Sequence, residues 1–130
     1  MSINYHVKIE HFAESHYIKK FYKKYKGFWD FTIKGIISEL KRFDEFIKTD
    51  HIDVISYCKN ITILKANFRV AGTKFSRKTS GNRYIASLDK NKNEIKILLI
   101  YYKNDIGNKN ETFTWKKIIK TNYDDYDFLN

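Results

Sequence analysis

The sequence predicts an α+β domain. The expected element order is β-α-α-β-β-β-α, with a helical hairpin packed on a mostly antiparallel four-stranded sheet. Three observations lead there. Residues 12–47 carry apolar side chains at helical spacing in two stretches that meet near Gly27. Residues 3–10, 61–70, 83–89 and 94–103 alternate in polarity or run apolar, as strands do. A chain of 130 residues, 42% of them hydrophobic and 17% aromatic, has the material for one packed core.

The elements follow in order. In residues 3–10, Ile3, Tyr5, Val7 and Ile9 alternate with Asn4, His6, Lys8 and Glu10, which reads as an opening strand with His6 on its solvated face. Residues 12–25 place Phe12, Tyr17, Phe21 and Tyr25 at helical spacing beside Lys19, Lys20, Lys23 and Lys24. Residues 28–47 form the second expected helix, with Phe28, Phe31, Ile36, Leu40 and Phe43 along one stripe, and the hairpin joint falls at Lys26 and Gly27. Residues 49–60 read as a solvated connector. Asp50, His51 and Asp53 lie within it, too few and at no spacing that defines a metal site, so no metal and no cofactor is expected. Strands are expected at 61–70, 83–89 and 94–103, the last covered on both faces because its middle is apolar. A final helix contains Phe113, Trp115, Ile118 and Ile119, capped by Asn110 or Thr112. One domain is thus expected over residues 1–120, followed by an acidic tail at 121–130. The tail is expected to be solvated, or to dock its carboxylates and aromatic rings on a basic face.

Charge and cysteine content narrow the function classes. The net charge is +10, and residues 121–130 hold three of the 15 acidic residues and none of the 25 basic ones, which leaves +13 for residues 1–120. The Lys-, Ile- and Asn-rich composition alone raises the lysine count, but the uneven placement argues for a polyanionic partner. No apolar run approaches the ~20 residues of a membrane span, and residues 1–10 do not read as a secretory signal. Cys58 is the only cysteine, which excludes an intramolecular disulfide and favours a cytoplasmic setting.

Residues 59–83 concentrate the basic charge. The stretch holds Lys59, Lys65, Arg69, Lys74, Arg77, Lys78 and Arg83 and no Asp or Glu. Thr62, Leu64, Ala66, Phe68 and Val70 fall on one face of the strand, and Ile61, Ile63, Lys65, Asn67 and Arg69 on the other. A half-buried strand does not require Lys65, Asn67 and Arg69 in alternation, whereas a surface that grips phosphates does. A turn over 72–81 then leads to Arg83 at the start of the next strand.

The run Ser80-Gly81-Asn82-Arg83, continuing as RYIASLD, and the run EIKILLIYYKND over 94–105 resemble the RelE/ParE superfamily of bacterial type II toxins. The resemblance covers most of residues 3–120 and rests on the order and spacing of short motifs. It implies the toxin of a toxin–antitoxin pair, and for RelE-type members a ribosome-dependent endonuclease that cleaves mRNA without a metal. In that reaction the 2′-hydroxyl attacks the adjacent phosphate and leaves a cyclic phosphate and a free 5′-hydroxyl. By motif position Arg83 is expected to stabilise the phosphate, with Lys65 and Arg69 beside it. Tyr102 and Lys103 occupy the strand end where relatives place an acid, a base or a second cation. Lys59, Lys74, Arg77 and Lys78 are the expected RNA-backbone contacts. The resemblance also implies an antitoxin partner whose acidic, partly disordered segment covers the basic face or displaces the final helix. ParE-type members share the fold and inhibit DNA gyrase instead, and a non-catalytic RNA-binding domain is a third reading.

Overall fold

The computed structural model describes residues 3–107 and 109–129. In chain order the elements are β1 (His6–Ile9), α1 (His11–Ser15), α2 (Ile18–Lys41), α3 (Phe43–Phe46), β2 (Ile52–Cys58), β3 (Ile61–Phe68), β4 (Asn82–Asp89), β5 (Glu94–Tyr102), a 3-10 turn at Lys103–Asp105, and α4 (Glu111–Asn122). The α+β class is as expected, but the sheet has five strands rather than four and is mixed. Its order is β1-β5-β4-β3-β2. β1 runs parallel to β5, and the other neighbours are antiparallel.

The additional strand is β2, in the stretch expected to be a connector. Its polarity pattern is broken because the register with β3 shifts between Val54 and Ser56, so the alternation changes phase there. As an edge strand it also leaves Val54 and Tyr57 exposed, which blurs the contrast between its faces further. Asp50 and His51 lie just before it, with the His51 ring 3.5 Å from the Asp50 carboxylate at the surface.

The helical stretch also differs in detail. The first turn of helix stops at Ser15, and α2 begins at Ile18. Within α2, Lys26 adopts φ 38 and ψ −116, a conformation that a non-glycine residue avoids, and the helix breaks where Gly27 marks the expected joint. A continuous helix would separate Phe21 and Trp29 by ~12 Å along its axis. Their rings instead stack 4.8 Å apart, so the two halves of α2 fold back on each other.

Two apolar layers result, one on each face of the sheet. Leu64, Ala66, Phe68, Tyr84, Ala86, Leu88 and Ile97 pack with Phe21, Trp29, Ile36 and Leu40 of α2. On the opposite face Ile63, Ile85, Leu99 and Tyr101 pack with Trp115 and Ile119 of α4. The register of β4 with β5 shifts between Ile85 and Ala86. That irregularity lets consecutive residues Leu98 and Leu99 join the same layer and explains the unbroken apolar run in β5. Each fully buried side chain of this kind contributes about 1.5–3 kcal/mol relative to exposure. Among the described residues no helix is long and apolar enough to cross a membrane.

The C-terminal tail is neither solvated throughout nor docked on a basic face. Tyr126 and Leu129 are buried in the α4-side layer. The Tyr123 hydroxyl donates to the Leu98 carbonyl at 2.6 Å, and the Tyr126 hydroxyl lies 3.0 Å from Ser87 Oγ. Asp124, Asp125 and Asp127 stay exposed. The acidic composition hid an apolar set, Tyr123, Tyr126 and Leu129, that the sheet receives while the carboxylates remain in water.

Candidate functional site

Strand direction gathers most of the basic stretch at one end of the sheet. β3 and β5 both run antiparallel to β4, so Phe68, Asn82 and Tyr102 lie side by side in register. Arg69, Arg83, Tyr102 and Lys103 therefore all lie toward that end, though not on one face, and the loop carrying Lys74, Arg77 and Lys78 follows β3 there. Lys59 does not join them. It occupies the tight turn between β2 and β3, with φ 56, at the opposite end.

The Ser80-Gly81-Asn82-Arg83 run pins the loop to the sheet. Ser80 Oγ lies 2.6 Å from the Phe68 carbonyl and 2.7 Å from the Arg77 carbonyl, and it accepts the Asn82 N–H at 3.1 Å. Gly81 has φ 78, and a Cβ there would sit 2.8 Å from the Tyr102 ring. Both facts demand glycine. Gly81→Ala is expected to lower stability by about 1–3 kcal/mol. Urea unfolding checks this, and a wild-type midpoint in the variant would show that neither constraint operates.

On the α4 face the strand alternation places Lys65, Arg83 and Tyr101 together, and α4 adds a carboxylate. Glu111 stands in the first turn of α4, where the helix N-terminus favours negative charge. Its Oε2 accepts the Tyr101 hydroxyl at 2.6 Å, lies 3.1 Å from Lys65 Nζ and is 4.0 Å from Arg83 Nε. The Arg83 side chain is 12% exposed, and its other nitrogens donate to the Asn82 carbonyl at 3.0 Å and the Lys78 carbonyl at 3.4 Å. Burial pushes the Glu111 pKa up. The hydrogen bonds from Tyr101 and Lys65 and the charges of Lys65 and Arg83 outweigh it and hold the carboxyl below its ordinary range. Burial, followed by the Glu111 hydrogen bond and charge, raises the Tyr101 phenol far above its usual value, so it is a protonated donor at neutral pH.

A pH dependence follows. Because the folded pKa of Glu111 is depressed, its contribution to stability is present above the ordinary carboxylate value of about 4.5 and is lost as pH falls through the folded value. Glu111→Gln is expected to flatten the loss of melting temperature between about pH 5 and pH 2. The pKa of Asp89 is also depressed: burial, the largest single influence, raises it, but hydrogen bonds from Asn60 and the Lys92 and Asn91 amides and the Lys92 charge together outweigh burial, and this acts in both chains. The variant therefore keeps part of the acid slope. Equal slopes in the two proteins would remove Glu111 from the account.

Tyr102, the next residue of β5, points to the other face. It packs against the α2-side layer and, with Lys20, Lys24, Tyr25, Asn82 and Asp105, lines a pocket of about 250 Å³. Lys20 Nζ lies 3.7 Å from Asp105, the Lys24 ammonium is 5.9 Å from the centre of the Tyr102 ring, and the Tyr102 hydroxyl accepts from Asn104 at 3.1 Å. The expected catalytic set is therefore split: Lys65 and Arg83 lie on the α4 face, Tyr102 on the α2 face, and Lys103 is exposed at the rim. No family model, curated protein or solved structure matches the chain.

The remaining cations divide by partner. Arg77 is held by Glu39 of α2 through contacts of 3.0 and 3.3 Å, so it braces the loop. Lys74 and Lys78 are exposed. Arg69 falls just past the end of β3 and lines a shallow groove beside Phe31, Glu39 and Arg77. It does not join Lys65 and Arg83 as strand alternation predicted, because the strand ends one residue before it. The sequence reading missed Glu111 and Tyr101. Glu111 was not singled out beside the expected caps Asn110 and Thr112, and Tyr101 lay inside an apolar run. The available signal was parity, since Tyr101 shares its face with Arg83 once β4 and β5 are paired.

Proposed function

We propose that this protein is the toxin of a bacterial type II toxin–antitoxin pair, similar to RelE, and that it cleaves mRNA on the ribosome. One observation supports this reading above the rest: Arg83, Lys65 and the protonated Tyr101 converge on a single carboxylate oxygen at the cation-rich end of a rigid sheet. Two cations and a hydroxyl donor around one anionic oxygen are what a phosphodiester under attack by its neighbouring 2′-hydroxyl requires. In this reading a phosphate oxygen takes the place of the Glu111 carboxylate when the first turn of α4 moves aside. Arg83 and Lys65 then hold the charge that builds on the phosphorane, and Tyr101 donates to it. The 2′-oxygen forms its bond to phosphorus as the bond to the 5′-oxygen breaks. A base takes the 2′-hydroxyl proton, and an acid protonates the departing 5′-oxygen. Lys103, exposed at the rim, is the candidate for one of that pair, and Tyr102, which faces the α2 side of the sheet, is not placed to be the other. An acidic antitoxin segment would compete for the same cations, and inhibition of cleavage by such a partner is part of the proposal.

A second reading has an observation in its favour. Glu111 closes the anion seat with well-formed contacts, as a structural ion-pair cluster does, which suits a basic surface that binds RNA without cutting it. Incubation with programmed ribosomes, followed by analysis of message ends, separates the readings. Discrete cuts ending in cyclic phosphates support the endonuclease. Intact message bound to the protein supports the second reading, and trapped gyrase–DNA complexes with intact message would replace both with gyrase inhibition.

A further inference from the structure

We infer that the groove at the break of α2 seats an unstacked base of single-stranded RNA. This inference rests on the proposal that an RNA strand reaches the cationic end of the sheet.

The break at Lys26 opens a groove of about 840 Å³ between the two halves of α2 and the loop after β3. Phe28 and Phe31 lie along it and are 58% and 74% exposed. Three residues apart in a helix, they project from the same side. The Phe28 ring has a fixed seat: a Cβ on Gly72, whose φ is +83, would come within 2.9 Å of it. The ring thus rests on bare backbone while more than half of its residue surface stays in water, the arrangement of a preformed stacking platform.

The occupant follows from the lining. Lys24 and Lys26 bring positive charge to the groove, and Tyr25, Phe28 and Phe31 bring flat rings. Leu, Ile, Val and Met, which a groove for an apolar protein helix would present, are absent from the lining. Rings flanked by ammonium groups match the chemistry of single-stranded nucleic acid, in which bases stack while phosphates pair with cations. Lys24 and Tyr25 also line the Tyr102 pocket on the α2 face, so the groove continues to the end of the sheet whose opposite face carries the proposed phosphate seat.

The test is a fluorescence-anisotropy titration with a labelled short oligouridylate and with the same oligomer made abasic. The proteins are wild type, Phe31→Ala and the double variant Phe28→Leu/Phe31→Leu, with melting temperatures measured alongside. Phe31 is the most exposed of the two rings, so its removal tests stacking without risk to the fold. Wild type is expected to prefer the base-bearing oligomer, and the substitutions are expected to weaken that binding roughly 5- to 150-fold while leaving abasic binding unchanged. Equal affinity of folded Phe31→Ala and wild type for the oligouridylate would overturn the inference. So would binding of an acidic peptide, but not the oligomer, in a Phe31-dependent way. Failure of the endonuclease reading is distinguishable: ring-dependent oligomer binding by a wild type that never cuts message on ribosomes would remove the nuclease and keep the groove assignment.

Discussion

On the proposed endonuclease reading, Arg83→Ala is expected to lower single-turnover mRNA cleavage on ribosomes by roughly two to three orders of magnitude, with Arg83→Lys recovering only a small part. The reason is geometric. A guanidinium offers donors along several directions, and in this protein two of its nitrogens are already committed to the Asn82 and Lys78 carbonyls, which aim the remaining edge at Glu111. Lysine retains the charge and loses that fixed aim. The substitution also removes two hydrogen bonds, one of which, to the Lys78 carbonyl, ties the loop to β4, so a loss of about 1–3 kcal/mol of stability is expected with it. Cleavage should therefore be measured well below the melting temperature of the variant, and the melting temperature reported with it. An Arg83→Ala protein that is folded and cuts at the wild-type rate would take Arg83 out of the site.

A chain ending at Asn122 is expected to be less stable by about 4 kcal/mol or more, on the scale set by core truncations. The lost segment removes Leu129, 1% exposed, and Tyr126, 5% exposed, from a layer that also holds Trp115 and Ile119. It also leaves the Leu98 carbonyl without its Tyr123 donor. Leu129→Ala alone is expected to cost about 2–5 kcal/mol. Asn at Asp124, Asp125 and Asp127 together should change stability by less than about 1 kcal/mol, because these carboxylates face solvent. Denaturant unfolding of the three proteins decides the matter. If the shortened chain unfolds at the wild-type midpoint, the tail is no part of the core.

These two regions show where the sequence was readable and where it was not. Strands β1, β3 and β4 and the last helix follow from local periodicity, β5 from its apolar run, and the break in the helical stretch from Gly27. β2 escaped because a bulge at Ile55 inverted its phase and because an edge strand has no well-defined buried face. The tail escaped because three aspartates dominated its composition, whereas the packing is decided by Tyr126 and Leu129. In the candidate site, the co-location of Arg83 with Lys65 was expected from motif position, and the register of β3 with β4 puts them on one face. Glu111 was not, since α4 crosses to that face by a loop whose path no local pattern reports. Tyr102 was assigned to the same site as Arg83 because it ends β5, but one step along a strand moves a side chain to the other face, and Tyr101 is the residue that shares the Arg83 side.

The parallel pairing of β1 with β5 joins His6–Ile9 to residues 94–97. During synthesis the first strand emerges long before its partner, and among the described residues β5 is the strand it pairs with. It must wait unpaired until β5 is made, a contact of high sequence separation that slows folding. The same event brings Tyr101 to Arg83, so completion of the sheet and assembly of the polar cluster coincide. A nascent or prematurely terminated chain that lacks β5 therefore has neither a closed sheet nor the convergence of Tyr101 and Arg83. If the protein cuts messages, that coupling confines the activity to the finished chain and spares the ribosome still making it.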